Sequence, residues 1–139
     1  MRYLLDTNVI SELVARQPNQ DVVGWIDAQD ANSVYLSVIT IGELRKGVEK
    51  LPDSTRKDKL GAWLTDDLLQ RFDGQILAID VNTMLIWGEL TGQLERIGRP
   101  LPAIDSLIAA LALNNSCTLV TRNEDDFRDT GVTVFNPWK

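Results

Sequence analysis

Histidine is absent from this sequence of 139 residues, and that absence removes several kinds of chemistry at once. Without it there is no Ser/His or Cys/His nucleophile pair, no His-paired nuclease mechanism and no His-ligated zinc site. Cysteine is almost absent too. Cys117 alone cannot close an intramolecular disulfide and offers at most one thiolate to a metal. Its apolar neighbours mark it as a core residue of a protein kept in a reducing compartment. No apolar run approaches the length of a membrane span. The opening Met1-Arg2-Tyr3-Leu4-Leu5-Asp6 meets a carboxylate after two leucines, too soon for the apolar stretch of a signal peptide. The expectation is a cytoplasmic protein whose chemistry rests on carboxylates, hydroxyls, lysines or a hard metal. Internal repeats and low-complexity tracts are also missing.

What is present is enough apolar material, 44% of residues against 24% charged, to bury the core of a single domain spanning residues 1–139. The formal net charge of −6 argues against nucleic acid, because phosphate binding depends on Lys and Arg releasing counterions. Its distribution softens that objection. Residues 45–59 hold Arg45, Lys46, Lys50, Arg56, Lys57 and Lys59 against only Glu49, Asp53 and Asp58. Such a run is either a solvated helical face or the border of a phosphate path, and composition does not choose between them.

Short apolar runs at Tyr3-Leu4-Leu5, Val34-Tyr35-Leu36, residues 76–79, Thr118-Leu119-Val120 and residues 132–135 read as strands buried on both faces. Helical patterns lie between them. Leu60, Leu64, Leu68 and Phe72 recur every fourth residue after Ser54, a capping residue, and Ile86, Leu90, Leu94 and Ile97 do so after Asp80 and Asn82. Strands alternating with helices long enough to serve as crossovers predict an α/β fold, a parallel sheet flanked by helices on both faces. The clearest loops are Gly98-Arg99-Pro100-Leu101-Pro102 and the segment 50–54 around Pro52.

The carboxylates fall at informative places in this pattern. Asp6 follows the first strand, at the carboxyl end where open α/β sheets place ligands. It is equally suited to cap a helix predicted over Val9 to Ala15. Glu43 lies on a helix whose stripe of Ile41, Leu44, Val48 and Leu51 points to the core. It shares another face with Thr40 and Gly47, small neighbours that let a long carboxylate approach other groups. Solvent exposure is the plainer fate of a helical Glu. Asp105 is the sharper signal, the only ionisable side chain in a segment apolar nearly all round. With Pro102 suited to the first turn, it falls near a helix amino end, where the dipole and free N–H groups favour a carboxylate. After the strand at Thr118 comes Thr121-Arg122-Asn123-Glu124-Asp125-Asp126-Phe127, with three acids of which one is expected to face the site. Carboxylates converging without His or Cys make a hard-oxygen site suited to Mg²⁺ or Mn²⁺ rather than zinc. Such a site can activate water and stabilise charge on a phosphodiester under in-line attack.

With these residues in view, the chain resembles the PIN-domain ribonucleases, in particular VapC-type toxins of the FitB-like branch. The resemblance runs over essentially the whole sequence. It is carried by Leu4-Leu5-Asp6-Thr7-Asn8, by Ser37-Val38-Ile39-Thr40-Ile41-Gly42-Glu43-Leu44, by Asp105 with Leu107-Ile108-Ala109-Ala110, by Thr121-Arg122-Asn123 with Asp126-Phe127, and by the closing Val134-Phe135-Asn136-Pro137-Trp138. It implies RNA cleavage at acidic residues that hold Mg²⁺ or Mn²⁺, with Asp6, Glu43 and Asp105 on the three principal positions. At the fourth, some relatives carry an aspartate where this chain has Asn123. The role then passes to Asp126, or Asn123 serves as a neutral ligand. Thr121 and Asn8 take supporting hydrogen bonds. The resemblance further implies a homodimer and a cognate antitoxin whose tail occupies the site.

Two other readings compete. An aspartyl-nucleophile phosphatase would use Asp6 after its first strand, but it wants an acid where Asn8 stands and a lysine where Arg122 is the nearest cation. A non-catalytic interaction module would keep the fold without needing Asp105 in so apolar a helix.

Overall fold

The computed structural model describes all 139 residues. Five strands, β1 (Tyr3–Leu5), β2 (Val34–Ser37), β3 (Ile76–Leu77), β4 (Thr118–Val120) and β5 (Val134–Phe135), form one sheet in the order β3-β2-β1-β4-β5. Every neighbouring pair is parallel. The chain therefore builds outward from β1 in one direction as far as β3, then returns to place β4 on the other side of β1. That reversal makes the gap between the carboxyl ends of β1 and β4 the topological switch point, the place where α/β sheets hold ligands.

The period-two alternation of the strands sorts their side chains onto two faces. Leu5, Leu36 and Val120 join Val9 and Ile10 of α1 (Thr7–Glu12), Val22 and Ile26 of α2 (Gln20–Ala28), and Leu64, Leu68 and Phe72 in one core. Leu4 and Leu119 join Leu90 and Leu94 of α6 (Val81–Arg96) and Ile108 and Leu111 of α7 (Ala103–Asn114) in the other. Helices thus cover both faces, as the uninterrupted apolar strands require. Cys117 is buried in the second core, as its neighbours predict. Helix α3 (Val38–Glu49) starts directly from β2 and packs against both cores, with Ile41 and Leu44 toward the first and Ile39 toward the second.

The structure moves several predicted boundaries. The first helix begins at Thr7 and closes at Glu12 rather than running from Val9 to Ala15, because Asp6 caps it directly. β3 and β5 are two residues each, shorter than the apolar runs that contain them. Ile97 is not part of the buried stripe of α6. It lies past the last helical residue and is 62% exposed. The fourfold spacing of Leu60, Leu64, Leu68 and Phe72 has its own consequence. An ideal α-helix would swing each successive member about 40° off line. Here α4 (Thr55–Ala62) passes through a π-helical stretch, Trp63–Leu68, before α5 (Leu69–Arg71). The wider i→i+5 turn takes up the drift, and Leu64, Leu68 and Phe72 are all buried. No helix is long and apolar enough to cross a membrane.

Candidate active site

Asp6 stands at the switch point. Its backbone N–H extends the β1–β4 ladder by donating to Val120 O at 2.9 Å, which fixes the residue before its side chain makes any contact. The carboxylate is buried, with Oδ1 accepting from Thr7 N and Oδ2 from Thr121 Oγ1, each at 2.8 Å. Helix capping and site placement, alternatives in the sequence, are therefore one arrangement. Burial pushes the Asp6 carboxyl above its ordinary range, the Thr121 and Thr7 hydrogen bonds oppose this, and the charges of Glu43 and Asp126 reinforce it.

Thr121, fully buried, ties the two central strands together. While donating to Asp6, its hydroxyl accepts from Asn8 Nδ2 at 3.2 Å and from Asn123 N at 3.1 Å. Asn8 Oδ1 in turn accepts from Arg122 N at 3.3 Å. The supporting hydrogen bonds expected of Thr121 and Asn8 are thus in place. The engagement of both Asp6 oxygens also disfavours that residue as an attacking nucleophile.

Glu43 reaches the same region from α3. Its Oε1 accepts from Thr7 Oγ1 at 2.5 Å. Because the single Thr7 proton goes to the carboxylate, the 3.0 Å contact between Thr7 Oγ1 and Thr40 Oγ1 must use the Thr40 proton. Ser37 Oγ donates to Thr40 Oγ1 at 3.3 Å and accepts from Thr40 N at 3.0 Å as the cap of α3. The result is a one-way chain of hydroxyls, Ser37 to Thr40 to Thr7, ending on the Glu43 carboxylate. Thr40 and Ser37 are buried, where an unmatched hydroxyl would be costly. Thr7 was invisible as a site residue in the sequence, since its partners lie more than thirty positions away.

Asp105 sits in the first turn of α7, after Pro102 as cap, and is partly exposed. Burial raises its pKa first, followed by the charges of Asp6, Asp126 and Glu43. The helix turn carrying it is locked to α6, because Trp87 Nε1 donates to the buried Ser106 Oγ at 2.9 Å and Ser106 Oγ donates to Ala103 O at 2.8 Å. Nothing in the sequence pattern singled out this pair.

The three acids after β4 separate clearly. Glu124 is held by Asn136 Nδ2 at 2.7 Å and by Lys139 at 3.0 Å, and Asp125 pairs with Arg128. Asp126 joins no ion pair, and its charge acts on both Asp6 and Asp105. Asn123 instead presents its backbone N–H to Thr121, at the entry to the 3₁₀ turn Glu124–Phe127.

Four carboxylates from four separate elements therefore share one neighbourhood, and none takes part in any of the six ion pairs of the chain. No three acidic side chains stand close enough to encircle an ion unaided. Burial first, and then the charges of neighbouring acids, raise the pKa values of Asp6 and Asp105, and no member of this all-oxygen set has an ion-pair partner. Such a set suits a divalent ion, and the open spacing suits one that keeps several waters, as Mg²⁺ does.

A parallel sheet wound in both directions from its first strand, with acids gathered at the reversal, defines a class of α/β domain with a carboxylate site. The profile of the PIN domain family matches residues 3–132, and the chain belongs to that family. Among its relatives it is 42% identical over 135 residues to the toxin FitB of Neisseria gonorrhoeae, covering 97% of each chain. It is 35% identical to the VapC ribonuclease Y4jK of Sinorhizobium fredii, covering 98% of this chain and 97% of that protein. The crystal structure of FitAcB from Neisseria gonorrhoeae superposes with a TM-score of 0.93 at 41% identity, covering 98% of both chains.

Proposed function

We propose that this chain is a cytoplasmic, single-domain endoribonuclease dependent on Mg²⁺ or Mn²⁺, acting as the toxin of a toxin–antitoxin pair. Asp6, Glu43 and Asp105 would hold the ion, with Asp126 as the fourth acid. The observation that carries this reading is the convergence of four carboxylates on the β1–β4 switch point, none of them held in an ion pair. The relatives named ribonuclease and toxin support it from an independent direction. When bound, the ion supplies an activated water and stabilises charge developing on the phosphodiester. The residues of the chain do the positioning. Thr7 N and Thr121 aim Asp6, the hydroxyl chain aims Glu43, and the α6–α7 lock fixes the turn bearing Asp105. Asp126 is left open to orient water or substrate by hydrogen bonding. The deciding assay incubates purified protein with RNA in Mg²⁺ or Mn²⁺ and again in excess EDTA. Cleavage is expected only with the metal, and full activity in EDTA would overturn the reading.

The same function calls for two protein partners, a second copy and an antitoxin whose tail enters the acidic site. The first turns of α6 present Val81, Met84 and Leu85 at 78%, 40% and 62% exposure, an apolar face at helical spacing with no cover from its own chain. This is where a second copy would pack. Leu85→Glu is expected to shift the protein from dimer to monomer in sedimentation without lowering its helix content. An unchanged dimer would place the contact elsewhere.

A further inference from the structure

We infer that the groove between α3 and the start of α7 is a phosphate track for the RNA strand beside the cleavage point, with Lys46 and Lys50 as its positioning residues. The inference deepens the ribonuclease reading and rests on it. The groove encloses about 550 Å³, and Glu43 forms part of its wall. Lys46 and Lys50 stand one helical turn apart along it, both exposed, and neither enters an ion pair. Their neighbours in the basic run differ. Arg45 is paired with Glu49, while Lys57 is held by Asp53 and by the carbonyl of Glu49, which it meets at 3.2 Å. Of the four unpaired cations of the run, Lys46, Lys50, Arg56 and Lys59, only Lys46 and Lys50 line this groove, and Lys57 does not border it.

The glycines of α3 give a second, independent observation. Gly42 and Gly47 flank Glu43 in the groove wall, within a helix, where glycine is a poor choice. A Cβ at either position would meet no protein atom within 4 Å, so internal packing does not call for glycine there. Their effect is to leave bare backbone facing the groove, room for a bulky strand to lie close to the helix. Glu43 and Gly47 also border a second groove, on the side of Thr7, Ser11 and Trp63, whose cation is Arg56. A strand crossing from one groove to the other passes over Glu43 with cations on either side. Lys46 and Lys50 are the only cationic side chains lining the first groove, and they supply the charge that a phosphate strand needs.

The test uses the full chain carrying Asp105→Asn, so that a short labelled single-stranded RNA of mixed sequence is bound without being cut, and follows affinity as NaCl is raised. Replacing Lys46 and Lys50 together with Gln should weaken binding and flatten the log–log salt slope by about 1.4, at about 0.7 per phosphate contact on a single strand. Lys59→Gln is the control and should change neither. In the otherwise native protein, Gly47→Leu should raise the melting temperature through better helix propensity while lowering RNA cleavage. That opposite movement is one a merely structural glycine would not produce. The inference is overturned if the parent binds RNA and the lysine pair leaves both affinity and slope unchanged. It is overturned equally if the pair affects only binding of a partner protein. A parent that binds no RNA at low salt would remove the ribonuclease reading as well.

Discussion

Asp105→Asn is expected to reduce RNA cleavage by at least about 100-fold, the scale seen when one preorganised charged or polar group is lost from a site, while leaving the metal-free protein folded and no less stable. The two halves of this expectation have different origins. Activity falls because Asn keeps the shape of Asp but removes a charge that an ion would need. Stability holds because folding buries the Asp105 charge, its largest penalty, and also brings it into the field of Asp6, Asp126 and Glu43. Both Asp6 and Asp105 retain protons more tightly in the fold than in the unfolded chain, where they ionise near the ordinary value of 3.8. What these groups contribute to stability is therefore present in full below about that pH and is lost as pH rises through their elevated folded values. Asn lacks one of these losses. It forfeits about 0.3–1 kcal/mol of attraction to the start of α7, which relief of crowding should offset. Thermal melts across this window, with and without Mn²⁺, check both parts. The wild type should gain stability with Mn²⁺ as RT ln(1 + [L]/Kd), and the variant should gain less. A variant melting far below wild type without metal would make Asp105 a structural cap.

Thr40→Val should lose both stability and activity, whereas Thr40→Ser should keep most of each. Valine matches the shape of threonine but removes the proton that Thr7 accepts and the oxygen on which Ser37 lands. Leaving buried hydroxyls unmatched costs about 1–3 kcal/mol. Glu43 would keep its carboxylate yet lose the fixed direction of its Thr7 donor, and loss of such an outer hydrogen bond to a ligand typically costs about 10–100-fold in metal affinity or activity. Mn²⁺ titration, followed by cleavage at saturating Mn²⁺, separates the effects. A Val variant with unaltered Mn²⁺ affinity and unaltered cleavage would show that the hydroxyl chain is not needed to aim Glu43.

The strands were legible because each reads as a short apolar run, and their parallel direction because helices long enough for crossovers alternate with them; their order in the sheet was not. The neighbourhood of Asp6, Glu43 and Asp105 could be inferred because each lies in an unusual local setting: a strand end, a face of small residues, an otherwise apolar helix. What escaped was non-local. Thr7 meets Thr40 and Glu43 across more than thirty residues, and Trp87 meets Ser106 across 19, with no periodic signature to announce either. Among Glu124, Asp125 and Asp126 the resemblance pointed to Asp126, but the physical reason, that Glu124 is held by Lys139 and Asn136 and Asp125 by Arg128, is not visible in the sequence pattern. The π-helical stretch was present in the fourfold spacing of Leu60 to Phe72, but that spacing alone looks like an ordinary helix.

The pairing of β1 with β4 joins the third residue of the chain to residue 118. A ribosome making this protein therefore releases Asp6 long before it releases the Thr121 that aims it, and Asp126 emerges later still. Until the last third of the chain has left the exit tunnel and β4 has slotted in beside β1, the acids are scattered along an unfinished polymer. Assembly of the acid cluster is therefore one of the last events of synthesis, set by the order in which the strands are made.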